Sequence, residues 1–404
     1  MLTTYTQLFR IKGAWQFSGA GFLARMPIAM NALGIILLVS LTTGSYALAG
    51  LTSGAYTLTA AVVSPYSSRL IDRFGQRRVL LPLGLLDALS LWLIALVAIL
   101  HVPAALVIVV AILAGATHPN IGSLVRARWV GLLSGDTRLR TAFAWESVLD
   151  EFIFTIGPVI TTFLALNVAP ASPLIVAGAI TAVGVLLLVA QHHTEPATHA
   201  HAHAAGKGAL RYRGMIVMFI AAAGLGGLFG SYEVSVVAAT AEWGDEVWTG
   251  WVLALWAGSS MLAGLVFGVR HPKLSFAKLL PITTGIGVIV VAFAHFAPNT
   301  ALLALAAFAA GLIVAPSLIC LFGNVETLVP TSRLTEGLTW ANSGIAVGFA
   351  LGGAFAGQVI DSMGAATAFW LPVASIALAF VASAAGLSRT QHAKMSPEHH
   401  EGEI

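Results

Sequence analysis

Ser68-Arg69-Leu70-Ile71-Asp72-Arg73-Phe74-Gly75-Gln76-Arg77-Arg78 places four arginines and one aspartate within eleven residues, in a chain where 9% of residues are charged. Long apolar runs flank it on both sides. The stretch reads as a tight basic turn joining two membrane-length helices.

Composition supports that reading. The chain has 404 residues, 58% of them hydrophobic, and a mean hydropathy of +0.88. A soluble domain carries roughly 25% charged residues. Too little polar surface is left to face water, so lipid is the solvent for most of the chain. The apolar runs are about 20 residues long and do not alternate, which predicts α-helices rather than a β-barrel. Abundant Gly and Ala suit close helix approach in lipid. Twelve helices are expected, at 14–40, 45–69, 79–100, 103–127, 142–166, 171–191, 213–240, 247–270, 276–297, 300–327, 335–360 and 364–388.

The one long connection, 192–212, contains His192, His193, Glu195 and the run His199-Ala200-His201-Ala202-His203. It predicts a cytoplasmic linker between two six-helix bundles, residues 1–191 and 213–388, with 389–404 as a disordered tail. The histidines lack a fixed scaffold and a carboxylate cluster, so no metal site is expected. Met1 to Gly13 shows no cleavable signal pattern. A single cysteine, Cys320, excludes an internal disulfide.

Charge placement sets the expected orientation. With an even helix number and both termini inside, all 20 Lys and Arg except Arg25 fall in cytoplasmic segments. The loop after helix 7 carries Glu242, Asp245 and Glu246. This is the positive-inside pattern. It accounts for the net charge of +3 without nucleic acid as a partner. The halves also echo each other. Ala114-Gly115 with Pro119 parallels Ala310-Gly311 with Pro316, and Trp145 parallels Trp340, at offsets of about 195 residues. Parallel six-helix repeats joined by a linker suggest a transporter with its site between the halves.

Asp72-Arg73-Phe74-Gly75-Gln76-Arg77-Arg78 resembles the signature loop of the major facilitator superfamily, G-x-x-x-D-R-x-G-R-R. Ser68 stands for the first glycine and Gln76 for one basic residue. With twelve helices and the 6+6 division, the chain looks most like the bacterial drug- and sugar-efflux branches. Gly157-Pro158 resembles the core of the antiporter motif, but Thr161 and Thr162 stand where that pattern has paired glycines. The resemblance implies an all-α major facilitator fold in which helices 1, 4, 7 and 10 line a central cavity. It also implies a gating role for Asp72, Arg73, Gly75, Arg77 and Arg78, with Asp72 facing the start of helix 11 near Glu336, where the helix dipole favours an anion.

Charges inside helices are the remaining candidates, because each costs at least ~2.5–3.5 kcal/mol in mid-membrane. Arg25 in helix 1 should face a cavity or a buried acid. Asp87 in helix 3 and Glu233 in helix 7 are its candidate partners and also candidate proton carriers. His118, before Pro119, is a candidate proton relay at a kink. Glu146, Asp150, Glu151, Arg126 and Arg128 predict a salt-bridge cluster at the inner face, with Glu326, Arg333 and Glu336 as its counterpart in the second half. Tyr232, Trp256, Asn324, Trp340 and Asn342 are possible cavity liners. Gly344, Gly348, Gly352, Gly353 and Gly357 form a stripe in helix 11 that admits another backbone.

The expected function is secondary active transport of a small organic solute by alternating access, as proton-coupled efflux of a drug or metabolite. Proton-driven nutrient uptake or facilitated transport is the alternative, and a non-transporting sensor or scaffold is a third. No catalytic constellation, P-loop or Rossmann fingerprint is present, so neither an enzyme nor a cofactor is expected. The expected partners are a small-molecule substrate, protons and the lipid bilayer, for a monomer in a bacterial plasma membrane.

Overall fold

In the computed structural model, residues 8–100, 102–133, 138–196, 209–212, 214–270, 274–330 and 334–395 are described. Among them every regular element is helical. Helix is what lipid demands, because no water is present to satisfy backbone N–H and C=O groups. Twelve spans of 19 to 30 residues are long and apolar enough to cross a bilayer. They are span 1 (Ala14–Thr43), span 2 (Tyr46–Ile71), span 3 (Gln76–Ile99), span 4 (Ala104–Leu133), span 5 (Thr141–Asn167) and span 6 (Ser172–Ala190), followed by span 7 (Met215–Glu242), span 8 (Glu246–Phe267), span 9 (Phe276–Phe296), span 10 (Thr300–Leu328), span 11 (Glu336–Met363) and span 12 (Ala365–Gly386). The last helix continues to Met395, past the expected start of a tail at Arg389; 396–404 and most of the linker, 197–208, lie outside the described residues.

Outward faces are apolar. Leu89, Ile289, Leu305 and Val381 are each more than half exposed, as lipid-facing side chains are. Spans 1, 4 and 10 are each built from two helices. Span 1 breaks at Met26-Pro27, directly after Arg25, where the expected helix was continuous. Span 4 breaks at His118-Pro119-Asn120, and span 10 at Leu312-Ile313. The repeated Ala-Gly pairs do the same job in both halves. Gly115 lies against the Tyr56 carbonyl of span 2, and Gly311 against the Trp256 carbonyl of span 8.

Spans 1–6 pack mainly on one another, as do spans 7–12; the main contacts across are span 2 with span 11 and span 5 with span 8. The glycines of span 11 serve both purposes. Gly344, Gly348 and Gly352 lie against Phe219, Ala223 and Gly227 of span 7. Gly353 and Gly357 lie against Gly50 and Tyr46 of span 2. In the second crossing, Gly250 of span 8 meets the Pro158 carbonyl of span 5. These crossings occupy the end of the bundle away from the linker, called here the far end.

Candidate functional site

Three polar clusters sit inside the apolar bundle. The first joins spans 1, 4 and 5 towards the linker end. Arg25, 4% exposed, pairs through Nη2 with Glu146 and through Nη1 with Asp150 at 2.7 Å. Its Nε also donates to the Gly21 carbonyl at 3.1 Å, within its own helix. Glu146 is fully buried and accepts further hydrogen bonds from Ser18 Oγ and Trp129 Nε1, both at 2.7 Å. Asp150 is 28% exposed and takes a second arginine, Arg126, at 2.6 Å. Charge is thus matched in the interior, two arginines to two carboxylates, as buried charge requires. The partners of Arg25 are therefore Glu146 and Asp150, rather than Asp87 or Glu233. Both acids project from the start of span 5, which packs on span 1, whereas Asp87 points to span 4.

The second cluster joins spans 1 to 4. Asp87, fully buried, lies 3.3 Å from His118 Nδ1. His118 occupies the break in span 4 with its ring 5.9 Å from that of Tyr56, and the Tyr56 hydroxyl accepts a 2.7 Å hydrogen bond from Asn31 Nδ2. One Asp87 oxygen and the Asn31 carbonyl oxygen have no partner among the described residues. An Asp–His pair at a helix break can hold and pass a proton.

The third cluster joins spans 7, 8 and 12. Tyr232 is fully buried, with its ring 4.9 Å from Trp256 and 5.8 Å from Phe369. Tyr232 Oη, Trp256 Nε1 and Asn324 Nδ2 have no hydrogen-bond partner among the described residues. Glu233 is half-buried and has no ion pair among them. Asn342 is exposed and donates to its own helix at Leu338, and Trp340 packs edge-on against Phe219. A groove of about 520 Å³ lined by Lys278, Ile286 and Phe380 lies between spans 9 and 12, apart from these clusters.

At the linker end, the signature loop is fastened to span 4 and the linker. Gly75 adopts φ 93° and ψ 152°, a backbone region essentially restricted to glycine. Gln76, which replaces a basic residue, is buried; it donates to the Leu124 carbonyl at 3.2 Å and accepts from Arg128 Nε at 2.8 Å. Arg128 is fully buried and also donates to the Gln191 carbonyl and Thr194 Oγ1 at 2.8 and 2.9 Å. Glu195 accepts from the Arg77 backbone N–H at 3.0 Å, placing an acid at the start of span 3. Arg73, Arg77 and Arg78 are exposed, and the Arg73 guanidinium lies 5.1 Å from the Phe74 ring centre. Glu336 accepts from the Ala209 N–H at 3.0 Å. The Asp72 side chain, Arg333 and the histidines at 199–203 lie outside the described residues. No group of three or more metal-ligating side chains occurs among the described residues.

Sequence reasoning did not single out Ser18, Asn31, Tyr56, Trp129 or Asp361. Asp361, at the end of span 11, accepts from the Tyr46 and Ala47 N–H groups at 2.8 and 2.9 Å. A signal for it was available, because an acid just past a predicted helix end needs a donor.

Twelve spans, two crossed contacts and internal charge clusters define a polytopic membrane protein built from two six-span halves. A family model described as Major Facilitator Superfamily matches residues 17–293, and the chain belongs to that family. Among solved structures it is similar to the nucleoside transporter NupG, with 15% identity, a TM-score of 0.73, and coverage of 93% of this chain and 98% of that one. It is also similar to the POT family transporter PepTSo (10%, 0.71, 95% and 98%) and to the human organic anion transporter MFSD10 (16%, 0.61, 91% and 99%). At such identities the likeness shows the fold. No curated protein matches the sequence.

Proposed function

We propose that the protein is a proton-coupled secondary transporter that exports a small organic solute across a bacterial plasma membrane by alternating access. Its two six-span bundles, 1–191 and 213–388, rock about a central site, with both termini and the linker in the cytoplasm. One observation carries the coupling. Glu146 and Asp150 are neutralised by Arg25 and Arg126, but no Lys or Arg pairs with Asp87 or Glu233 among the described residues. A membrane carboxylate without a fixed cation is free to exchange protons. Asp87 and His118 then act as a relay in the first half and Glu233 as a carrier in the second. The sign follows from the cycle: each carboxylate is protonated on one side and releases its proton on the other.

Substrate can be found by a ligand-stabilisation screen on the purified protein, and flux of any hit then measured in proteoliposomes with and without a pH gradient. Glu233→Gln or Asp87→Asn should remove the response of flux to the gradient while counterflow persists. Wild-type gradient dependence in both variants would rule these carboxylates out as the coupling groups. Proton-driven uptake or facilitated passage is the second reading. Thr161 and Thr162 favour it, because they are fully buried where the antiporter pattern has glycines.

A further inference from the structure

The residue spacing of the signature loop recurs in the second half of the sequence, at a place that the repeat of about 195 residues does not pair with it. Gly357-Gln358-Val359-Ile360-Asp361-Ser362-Met363-Gly364 repeats the spacing of small residue, aspartate and glycine seen in Ser68 to Gly75. Each stretch ends one span and turns into the next, spans 2 to 3 at the linker end and spans 11 to 12 at the far end. The terminal glycines share an unusual backbone, φ 93° and ψ 152° at Gly75 and φ 82° and ψ 166° at Gly364.

The far-end aspartate is engaged. Asp361 Oδ1 accepts from the Tyr46 N–H at 2.8 Å, and Oδ2 accepts from the Ala47 N–H at 2.9 Å and from Ser45 Oγ at 2.8 Å. These donors open span 2, whose first N–H groups have no partner within their own helix. A carboxylate of span 11 therefore sits on the positive end of a helix in the other half. Directly beneath, Gly357 lies against the Tyr46 carbonyl and Gly353 against that of Gly50, so the backbones touch. Among the described residues, two other carboxylates cap the start of a distant span, Glu195 at Arg77 and Glu242 at Ala365. Both stay within one half, and Asp361 crosses.

We infer that Asp361 is a latch that holds the far end shut, and that its release is a step of the transport cycle. The inference rests on the alternating-access reading. All three acceptor contacts are on one carboxylate and all three donors are at the start of span 2, so parting of the halves breaks them together. The contact is solvent-exposed, which suits repeated breaking. Water satisfies the freed groups, and the loss is that of a helix cap rather than of a buried ion pair.

The test uses spin labels on the full-length protein, one per half, at Val168→Cys and Phe296→Cys. Both sites are exposed at the far end, and Cys320→Ser removes the native thiol. Interspin distances are measured by electron paramagnetic resonance. Asp361→Ala should move the ratio of far-open to far-closed protein about tenfold towards open, the scale of a lost cap. Asp361→Asn, which keeps the shape but not the charge, should shift it the same way by less, and it carries the test if the alanine variant does not fold. Glu242→Gln weakens a cap within one half and should lower thermal stability without lengthening the distances. Wild-type distances in the Asp361 variants overturn the latch, as does an equal lengthening in Glu242→Gln. The readout needs neither substrate nor flux, so a failed transport assay leaves it standing.

Discussion

Glu146 gathers donors from two neighbouring spans, 1 and 4. It is fully buried and accepts from Arg25, Ser18 and Trp129. Glu146→Gln would turn an amide donor towards the Arg25 donors and leave that charge under-compensated. Breaking a buried pair from one side costs about 3–5 kcal/mol, so a large fall in unfolding temperature in detergent is expected. Asp150→Asn should cost about 1 kcal/mol or less, because Asp150 is 28% exposed and its pairs are screened. Equal losses in the two variants would contradict this ranking. Charges such as Arg25 were conspicuous in the sequence because lipid penalises every one. The expected pairing of Arg126 with Asp150 is present, whereas Arg128 turns to Gln76, Gln191 and Thr194. The partners of Arg25 were not legible: Glu146 and Asp150 lie 121 and 125 positions from it, and one sequence carries no sign of that proximity. Asn31 and Tyr56 were missed for a different reason. Neutral polar groups are common in spans, and only the fold shows that these two meet beside His118.

Among the elements, the spans were legible because lipid enforces length and apolarity together, and each expected helix has its counterpart among the observed spans. Breaks were harder to read. Pro119 and its kink in span 4 were anticipated, while the break after Arg25 was read through although Pro27 stood in the sequence. Pro65 and Pro158 sit inside helices that run on unbroken, so a proline alone does not mark a break. Turn glycines allow a sharper test. Gly44 ends span 1 at φ 73° and ψ 3°, left-handed backbone that asparagine also adopts, with open space where a Cβ would stand. Gly75 sits at ψ 152°, where asparagine gains no such relief. Gly44→Asn should be near neutral, and Gly75→Asn should cost about 1–3 kcal/mol in thermal unfolding. Equal tolerance at both sites would mean that the signature glycine serves something other than backbone conformation.

On the scale of the whole molecule, span 2 meets span 11 and span 5 meets span 8 at the far end, while the basic residues gather at the other. This asymmetry yields a prediction about sidedness. Lys and Arg near span ends are retained on the cytoplasmic side, so the linker end should face the cytoplasm. Single cysteines in a Cys320→Ser background can report this. Met363, 68% exposed at the far end, should react with a membrane-impermeant maleimide in intact cells after Met363→Cys. His193, exposed where the linker begins, should react after His193→Cys only once the membrane is opened. The reverse pattern would invert the molecule. Asp361 would then close the cytoplasmic side and the signature loop the external one, and the proposed sidedness of both termini would reverse with them.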